Sequence, residues 1–269
     1  MRKVFVQPFE RAWQYRELIQ VILWRELSVR FRNSFFSWGW AVAAPVSMLV
    51  VYTAVFSTTL KVSTESSSAG LGYYALSIFA GLIIFNLFSE LLLRAPTLIH
   101  EHAPFVKRSI FPSEALAWIA MGRALVYAGI ALVVLLIFEL IFTRMLPWSV
   151  LLLPMLFVPL CLFLLGATWF LAALGAFTRD VSHLFITIVP LFLFATPVFY
   201  SALDVAEPVR WVLYLNPLTG FIEIARDILL RGSWPDPTTY LISTLVAVVV
   251  FVGGYAFFTR YRDLAIDVI

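Results

Sequence analysis

Charged residues are scarce in this chain of 269 residues. Asp, Glu, Lys and Arg together make up 13% of it, whereas apolar residues make up 62%. Soluble globular domains carry about 25% charged and about 45–50% apolar residues. A soluble fold of this length cannot solvate so much apolar surface. The composition therefore predicts an integral membrane protein.

Cysteine and the common enzyme motifs are also lacking. Cys161 is the single cysteine and lies in an apolar run, which excludes a disulfide framework and a thiolate metal site. None of the twelve glycines precedes a lysine, so the chain has no phosphate-binding loop of the Walker A type. G-x-S-x-G and H-E-x-x-H are absent as well. We therefore predict no catalytic residue, metal site or cofactor in this chain.

Long runs without charged residues define the membrane spans, because about 20 apolar residues cross a bilayer. Five such runs contain no charged residue, and a sixth contains only Arg123. We expect an all-α protein with six transmembrane helices. They should lie at about 37–60, 72–93, 116–142, 150–177, 182–200 and 238–259.

The distribution of Lys and Arg predicts the orientation. With six spans both termini lie on one side, and that side holds thirteen of the nineteen Lys and Arg residues, against five on the other. Loops rich in Lys and Arg stay in the cytosol. We therefore expect residues 1–34 to be a cytosolic N-terminus with an interface helix over Glu10–Arg32, 35–260 the membrane domain and 261–269 a cytosolic tail. Since Glu10–Arg32 has no clean apolar stripe, part of it should pack on protein.

The outer segment Ser201–Asp236 contains two apolar stretches, each too short to cross, separated by Asn216-Pro217. It forms either two interfacial helices or a re-entrant hairpin. A hairpin is tolerated at membrane depth only where it is buried in protein or lines a cavity. We favour the hairpin.

The longest polar interruption that the charge count assigns to the cytosol is Arg94–Pro112. Pro96 suits a first helical position, and Pro104 disfavours helix in the residue before it. The two turns between them are too short to be stable alone, so a partner should hold them. His100 and His102 point about 200° apart on a helix, a geometry unsuited to a shared metal.

Charged residues near the ends of the spans are few, namely Glu90, Arg123 and Glu139, and all can reach the membrane surface. Glu90 lies four residues before Arg94, the spacing of a helical ion pair. Ion-driven carriers keep ionisable groups at the midplane, and none is evident in these spans. If the protein transports actively, its energy comes from another subunit.

Four stretches of the chain, in order along the six spans, resemble the membrane (permease) subunits of type-2 ABC exporters of lipid-linked polysaccharides, such as O-antigen and teichoic acid. They are Arg30–Ser34 with Trp38–Val42 and Pro45; Phe105–Arg108 with Phe111–Glu114; Arg179–Val181 with Thr196–Tyr200; and Asn216–Thr219 with Glu223, Arg226 and Gly232. The chain departs from the family at Ser37, where Gly is frequent, and at Ala44, where Gln is frequent.

The resemblance implies a bacterial inner-membrane protein that works as a homodimer with two ABC ATPase subunits, which bind ATP and Mg. It implies export of an undecaprenyl-linked glycan, in contact with membrane lipids and without nucleic acid. A coupling helix after the second span would dock on the ATPase. We expect one face, with Leu98, Ile99 and His102, to pack on the permease, and the other, with Thr97, His100 and Glu101, on the ATPase. Lys107 and Arg108 complete the predicted coupling residues.

Three further groups of residues receive roles as hypotheses. Arg25, Arg30 and Arg32 meet either the pyrophosphate of the substrate or anionic lipid headgroups. Trp38, Trp40, Tyr52, Phe56, Phe85 and Trp118 are candidates for a glycan conduit. Pro197, Asn216, Pro217, Glu223 and Arg226 are candidates for an outer gate, in which Glu223 and Arg226 are spaced to pair.

Two other kinds of function are compatible with a membrane chain of this length. A membrane-embedded enzyme of lipid or glycan metabolism needs clustered Asp, Glu and His, which the polar loops lack. Another export permease of the same fold would carry capsule, teichoic acid, a drug or a small lipid. The aromatic content of 16% and the four stretches together favour a polysaccharide, and O-antigen first.

Overall fold

The computed structural model describes residues 2–30, 35–59, 68–106, 112–202 and 205–268, and these form helices and turns only, as the sequence predicts. The helices are α1 (Arg2–Gln14), α2 (Arg16–Arg30), α3 (Gly39–Thr59), α4 (Ser68–Arg94), α5 (Leu98–Glu101), α6 (Ala103–Val106), α7 (Ala115–Thr143), α8 (Leu153–Phe177), α9 (Asp180–Ala195), α10 (Glu207–Tyr214), α11 (Pro217–Arg226) and α12 (Pro237–Val268).

Four helical stretches of the described chain are long and apolar enough to cross a membrane. They are Gly72–Glu101, Ala115–Thr143, Trp148–Phe177 and Pro237–Ala265. The other two predicted spans correspond to α3, with 21 residues, and α9, with 16. At 1.5 Å per residue α9 extends about 24 Å, less than the ~30 Å of a hydrocarbon core. The count of six spans therefore stays a prediction.

Helix α4 occupies the centre of the bundle. It packs against α3, α7, α8, α9 and α11, and residues 78–85 are buried without interruption. A helix that is apolar on all sides gains most by being surrounded by other helices. The helices that carry the site described below therefore pack either on α4 or on a helix that contacts α4.

Helices α8 and α12 make the most extensive contact, and glycines permit their close approach. A Cβ atom on Gly254 would collide with the backbone carbonyl of Gly166, and one on Gly166 would collide with the backbone of Val250 and Phe251. Small residues at helix crossings in membranes allow backbones to come near each other and gain packing contacts. A third glycine, Gly253, points into open space.

The N-terminal segment differs from the single helix expected over Glu10–Arg32. Helix α1 begins at Arg2, the chain breaks at Tyr15, and α2 ends at Arg30. Leu27 of α2 is buried, and α2 packs against α7, whereas Trp24 is exposed. The expectation that part of this segment packs on protein is confirmed.

The two helices of the outer segment have opposite environments. Every apolar side chain from Leu218 to Ala225 in α11 is buried, and α11 packs against α4, α8 and α12. Helix α10 instead leaves Trp211 and Val212 exposed. Burial in protein is what a re-entrant segment requires. The depth of α11 in the bilayer remains a prediction.

The glycine contact between α8 and α12 gives a test of the packing. We expect Gly254→Ala to destabilise the detergent-solubilised protein by about 1–3 kcal/mol, because the added methyl group meets backbone that cannot rotate away. Gly253→Ala, the matched control on the same helix, should leave the thermal unfolding midpoint unchanged. Equal midpoints for both variants would argue against this crossing.

Candidate functional site

The predicted coupling segment forms a series of short helical turns after α4. Ala95–Thr97 is a 3-10 turn with Pro96 in its first positions, α5 follows directly, and His102 interrupts the helix before α6. Pro104 lies in the first turn of α6, where its missing N–H costs little. The structure thus resumes the helix after His102 instead of ending it there. Lys107 and Arg108 lie outside the described residues.

Apolar burial and one backbone contact hold this segment against the bundle. Leu98 and Ile99 are each 1% exposed, so the face expected to pack on the permease does so. A Cβ on Gly175, near the end of α8, would collide with the backbone of Pro96. The Nε2 atom of His100 lies 3.2 Å from the carbonyl oxygen of Gly175, so this ring also faces α8. Glu101 remains exposed.

A cluster of charged side chains surrounds Glu26 of α2. Its carboxylate accepts a hydrogen bond of 2.7 Å from Arg94 and lies 3.4 Å from Nε2 of His102 and 3.9 Å from Arg123. Arg94 also lies 3.6 Å from the Glu101 carboxylate. One carboxylate therefore connects the interface helix α2 with the end of α4, with α7 and with the coupling segment.

These contacts displace the pKa values of two groups outside the membrane spans. Burial by itself would raise the pKa of Glu26, but hydrogen bonds from His102 and Arg94 and the nearby charge of Arg123 outweigh it and lower the pKa to about 2. The hydrogen bond to Glu26 raises the pKa of His102 above its ordinary value. Because Nδ1 of His102 also lies 3.0 Å from the Leu98 carbonyl, the protonated ring is held on both sides.

The ion pair predicted between Glu90 and Arg94 is replaced by pairs between different helices. Arg94 binds Glu26 as described, and Glu90 lies 3.1 Å from Arg123 of α7. Spacing along one helix cannot reveal a partner on a neighbouring helix, which lies closer here. Glu139, at the other end of α7, is buried within the chain and does not extend to the surface.

A second carboxylate, Glu114, ties both ends of the chain to the start of α7. Its Oε1 atom accepts hydrogen bonds from Arg11 of α1, at 2.6 Å, and from Arg262 of α12. Its backbone carbonyl accepts a hydrogen bond from Trp169 of α8. The side chain is almost fully buried, so these cations are what make its burial tolerable.

The sequence predicts no role for Glu26, and it marks Glu114 only as the last residue of the family-like stretch Phe111–Glu114. Both are acidic residues beside regions rich in Arg, which is the available signal. That signal does not identify which Arg pairs with each carboxylate, because the partners are distant in the chain. Arg94 lies 68 residues from Glu26, and Arg11 lies 103 residues from Glu114.

The three arginines predicted at headgroup level are only partly described. Arg25 is exposed on α2 and lines an open cleft with Glu26, Val29, Arg94 and His102. Arg30 ends α2, but its side chain lies outside the described atoms, and Arg32 lies outside the described residues. Their role remains a prediction.

The structure does not bring together the five conduit aromatics whose side chains it describes. Phe85 is buried against Phe88, and Trp118 packs between Phe9 and Trp169. Tyr52 packs near Phe199. Trp40 is exposed and Trp38 stacks on Trp24 at the start of α3, while the side chain of Phe56 is not described. Packing against other core side chains accounts for the positions of Phe85 and Trp118. For the other four aromatics, a role in a glycan conduit remains a prediction.

The residues of the predicted outer gate form one bonded unit. Glu223 and Arg226 pair at 2.9 Å as expected, and Arg226 donates to the carbonyls of Val198 and Tyr200, just after Pro197. Asn216 caps α11 next to Pro217, accepting from Leu218 and donating to Thr196. α11 is thereby fixed to the unwound chain that follows α9. A gating role remains a prediction.

The His102–Glu26 contact predicts a dependence of stability on pH. Because the pKa of His102 is raised in the folded state, its contribution is complete below about 6.5 and is lost as the pH rises through the higher value. We expect the thermal unfolding midpoint to fall between pH 6 and pH 9 by the equivalent of about 1 kcal/mol. Glu26, with a pKa of about 2, stays ionised throughout this window.

His102→Gln should flatten this pH profile, and His183→Gln, at an exposed position of α9, should leave it as in the wild type. Parallel profiles for the wild type and His102→Gln would refute the contact as a source of stability.

Comparison with known proteins gives consistent matches along most of the chain. The family model described as "ABC-2 type transporter" matches residues 17–230. The O-antigen export system permease protein RfbA of Myxococcus xanthus is 24% identical over 260 residues, 96% of this chain and 97% of the relative. A protein of the same name from Klebsiella pneumoniae is 23% identical over 219 residues, 81% of this chain and 82% of the relative. Since the family match extends over well more than half of the chain, this multi-pass chain belongs to the ABC-2 type transporters, a family of permease subunits that implies ABC ATPase partners.

Proposed function

We propose that this permease moves a polyprenyl-pyrophosphate-linked polysaccharide, O-antigen first among the candidates, outward across the bacterial inner membrane. The near full-length similarity to O-antigen export permeases carries this proposal. A permease for a drug or small lipid has no comparable support among these relatives. Capsule and teichoic acid remain alternatives, because no feature of the described residues separates these glycans from O-antigen.

In this proposal two copies of the chain and two ATPase subunits form the exporter. ATP and Mg²⁺ bind the ATPase subunits, and the chain itself holds no cofactor. Exposed apolar side chains on one face of α9, Leu184, Leu191 and Phe194, support contact with a second copy or with lipid. Both termini lie in the cytosol, on the same side as α5.

The coupling segment supplies the mechanical connection. Leu98 and Ile99 fix it to the bundle, and the exposed Glu101, which contacts Thr97 and Arg94, faces the ATPase. Movement of the ATPase at α5 reaches α2 through the bonds among Glu26, Arg94 and His102, and reaches α8 through Gly175. ATP hydrolysis in the partner thereby changes the arrangement of the membrane helices.

Replacement of Glu101 alone by Ala tests the docking face, because the ring of His100 faces α8 and its loss would disturb the packing on the permease. We expect association with the ATPase subunits to weaken by about tenfold or more, the effect of losing about 1.4 kcal/mol, with a matching loss of glycan at the cell surface. Association is measured by co-purification and titration in detergent. Ser233→Ala, at an exposed position on the predicted outer side, is the control, and unchanged assembly and export in Glu101→Ala would exclude the assignment.

Gly175→Ala tests the connection between α8 and the coupling segment. The added methyl group collides with the Pro96 backbone and shifts the turn that carries α5. We expect fewer glycans exported per ATP hydrolysed, measured in proteoliposomes, by about tenfold for a loss of about 1.4 kcal/mol of coupling.

Gly129→Ala is the matched control, because its Cβ would meet open space. If Gly175→Ala retains the wild-type ratio of export to ATP hydrolysis, the contact between α8 and the coupling segment does not transmit the motion.

A further inference from the structure

Helices α3, α4 and α7 enclose an apolar groove of about 390 Å³. Trp40, Ala44 and Met48 line it from α3, Phe79 and Ile83 from α4, and Ala128 from α7. The small alanine side chains leave room between helices that otherwise pack closely. This volume lies within the ~300–1,000 Å³ range of small-molecule sites.

One end of this groove is polar and continues into a second space. Asn86 and Glu90 line the groove and also an open cleft of about 640 Å³, which adds Ser89, Arg94 and Arg123. An apolar compartment thus joins a compartment with guanidinium, amide and hydroxyl groups, in which the carboxylates of Glu90 and Glu101 lie beside the arginines. This arrangement suits an amphiphile with an apolar chain and an anionic head that takes the place of these carboxylates at the guanidinium groups. We call the two parts the tail groove and the head cleft.

Arg123 lies where the tail groove meets the head cleft, and its guanidinium group does not use all of its hydrogen-bond donors. Its Nη2 atom lies 3.1 Å from Glu90 and its Nη1 atom 3.9 Å from Glu26, while its Nε atom is buried and has no hydrogen-bond partner among the described residues. A guanidinium group binds phosphate oxygens in a bidentate manner. A phosphate in the head cleft would compete with Glu90 for Arg123.

We propose that the tail groove and the head cleft bind the lipid carrier of the exported glycan, with the prenyl chain in the groove and the pyrophosphate at Arg123 and Arg94. The inference rests on the proposed function. It places the pyrophosphate between α4 and α7, and not at the exposed Arg25 of α2. Asn86, Ser89 and Thr97 supply donors and acceptors for the first sugar. Ala44 lines the groove and keeps this part of it apolar.

The site is tested by binding of radiolabelled farnesyl pyrophosphate to the purified permease–ATPase complex in detergent. Ala44→Trp fills the groove from an exposed position and should raise the Kd by about tenfold. Val42→Trp, on the opposite face of the same helix, is the matched control and should bind as the wild type does. Unlabelled farnesol, inorganic pyrophosphate and phosphatidylglycerol vesicles should compete poorly, because each lacks either the chain or the pyrophosphate head.

Two substitutions at the junction should act in opposite directions. Arg123→Gln removes the principal cation and should weaken binding by about tenfold, whereas Glu90→Gln removes the competitor for that cation and should tighten it several-fold. A purely structural role for these residues would not tighten binding. Wild-type affinity in Ala44→Trp, weaker binding in Glu90→Gln, or equal competition by phosphatidylglycerol would each overturn the site.

Glycan export is measured separately in cells that depend on this chain. If the wild-type chain exports no lipid-linked glycan, the proposed function fails, whatever the binding data show. If the wild type exports glycan but Ala44→Trp binds and exports normally, the function stands and this site is wrong.

Discussion

The packing of the helices at the predicted cytosolic side depends on one constraint, the pairing of Glu26 with cationic side chains. A carboxylate held between helices must be compensated by cations, because burying an unpaired charge costs several kcal/mol. Arg94, Arg123 and His102 supply that compensation from three different elements. The same contacts that make Glu26 tolerable therefore also fix α2, α4, α7 and the coupling segment relative to one another.

The two ends of the bundle both hold paired charged side chains, but these pairs differ in their exposure. At one end, the charged side chains line open clefts and remain partly accessible. At the other, Glu223 and Arg226 are buried as a pair, and Arg226 donates to the carbonyl groups of Val198 and Tyr200 in the break after α9. An accessible network can exchange partners with a ligand or subunit, whereas the buried one serves to hold α11 in place. The proposed path of the substrate begins at the accessible end.

The proposed transmission of motion from the ATPase relies on close backbone contacts between helices as well as on ion pairs. Gly175 lets α8 touch the turn at Pro96, and Gly166 lets α8 touch α12. Helix α8 is thus joined rigidly to the coupling segment at one end and to the last helix along its length. Rigid joints transmit a displacement, while flexible side-chain contacts would absorb part of it. In the proposed function, these joints are what let a segment as short as α5 act on the whole bundle.

The sequence by itself determined the membrane class, the helical architecture, the short helix after Pro96 and the Glu223–Arg226 pair, because apolar run length, proline position and i, i+3 spacing are local properties. It did not determine the pairing of Glu26 with Arg94, the close contact at Gly175 or the groove beside Ala44. Those contacts join residues far apart in the chain, and only the packing of the helices decides which distant surfaces meet. The break in the helix at Tyr15 and the burial of Phe85 were decided in the same way.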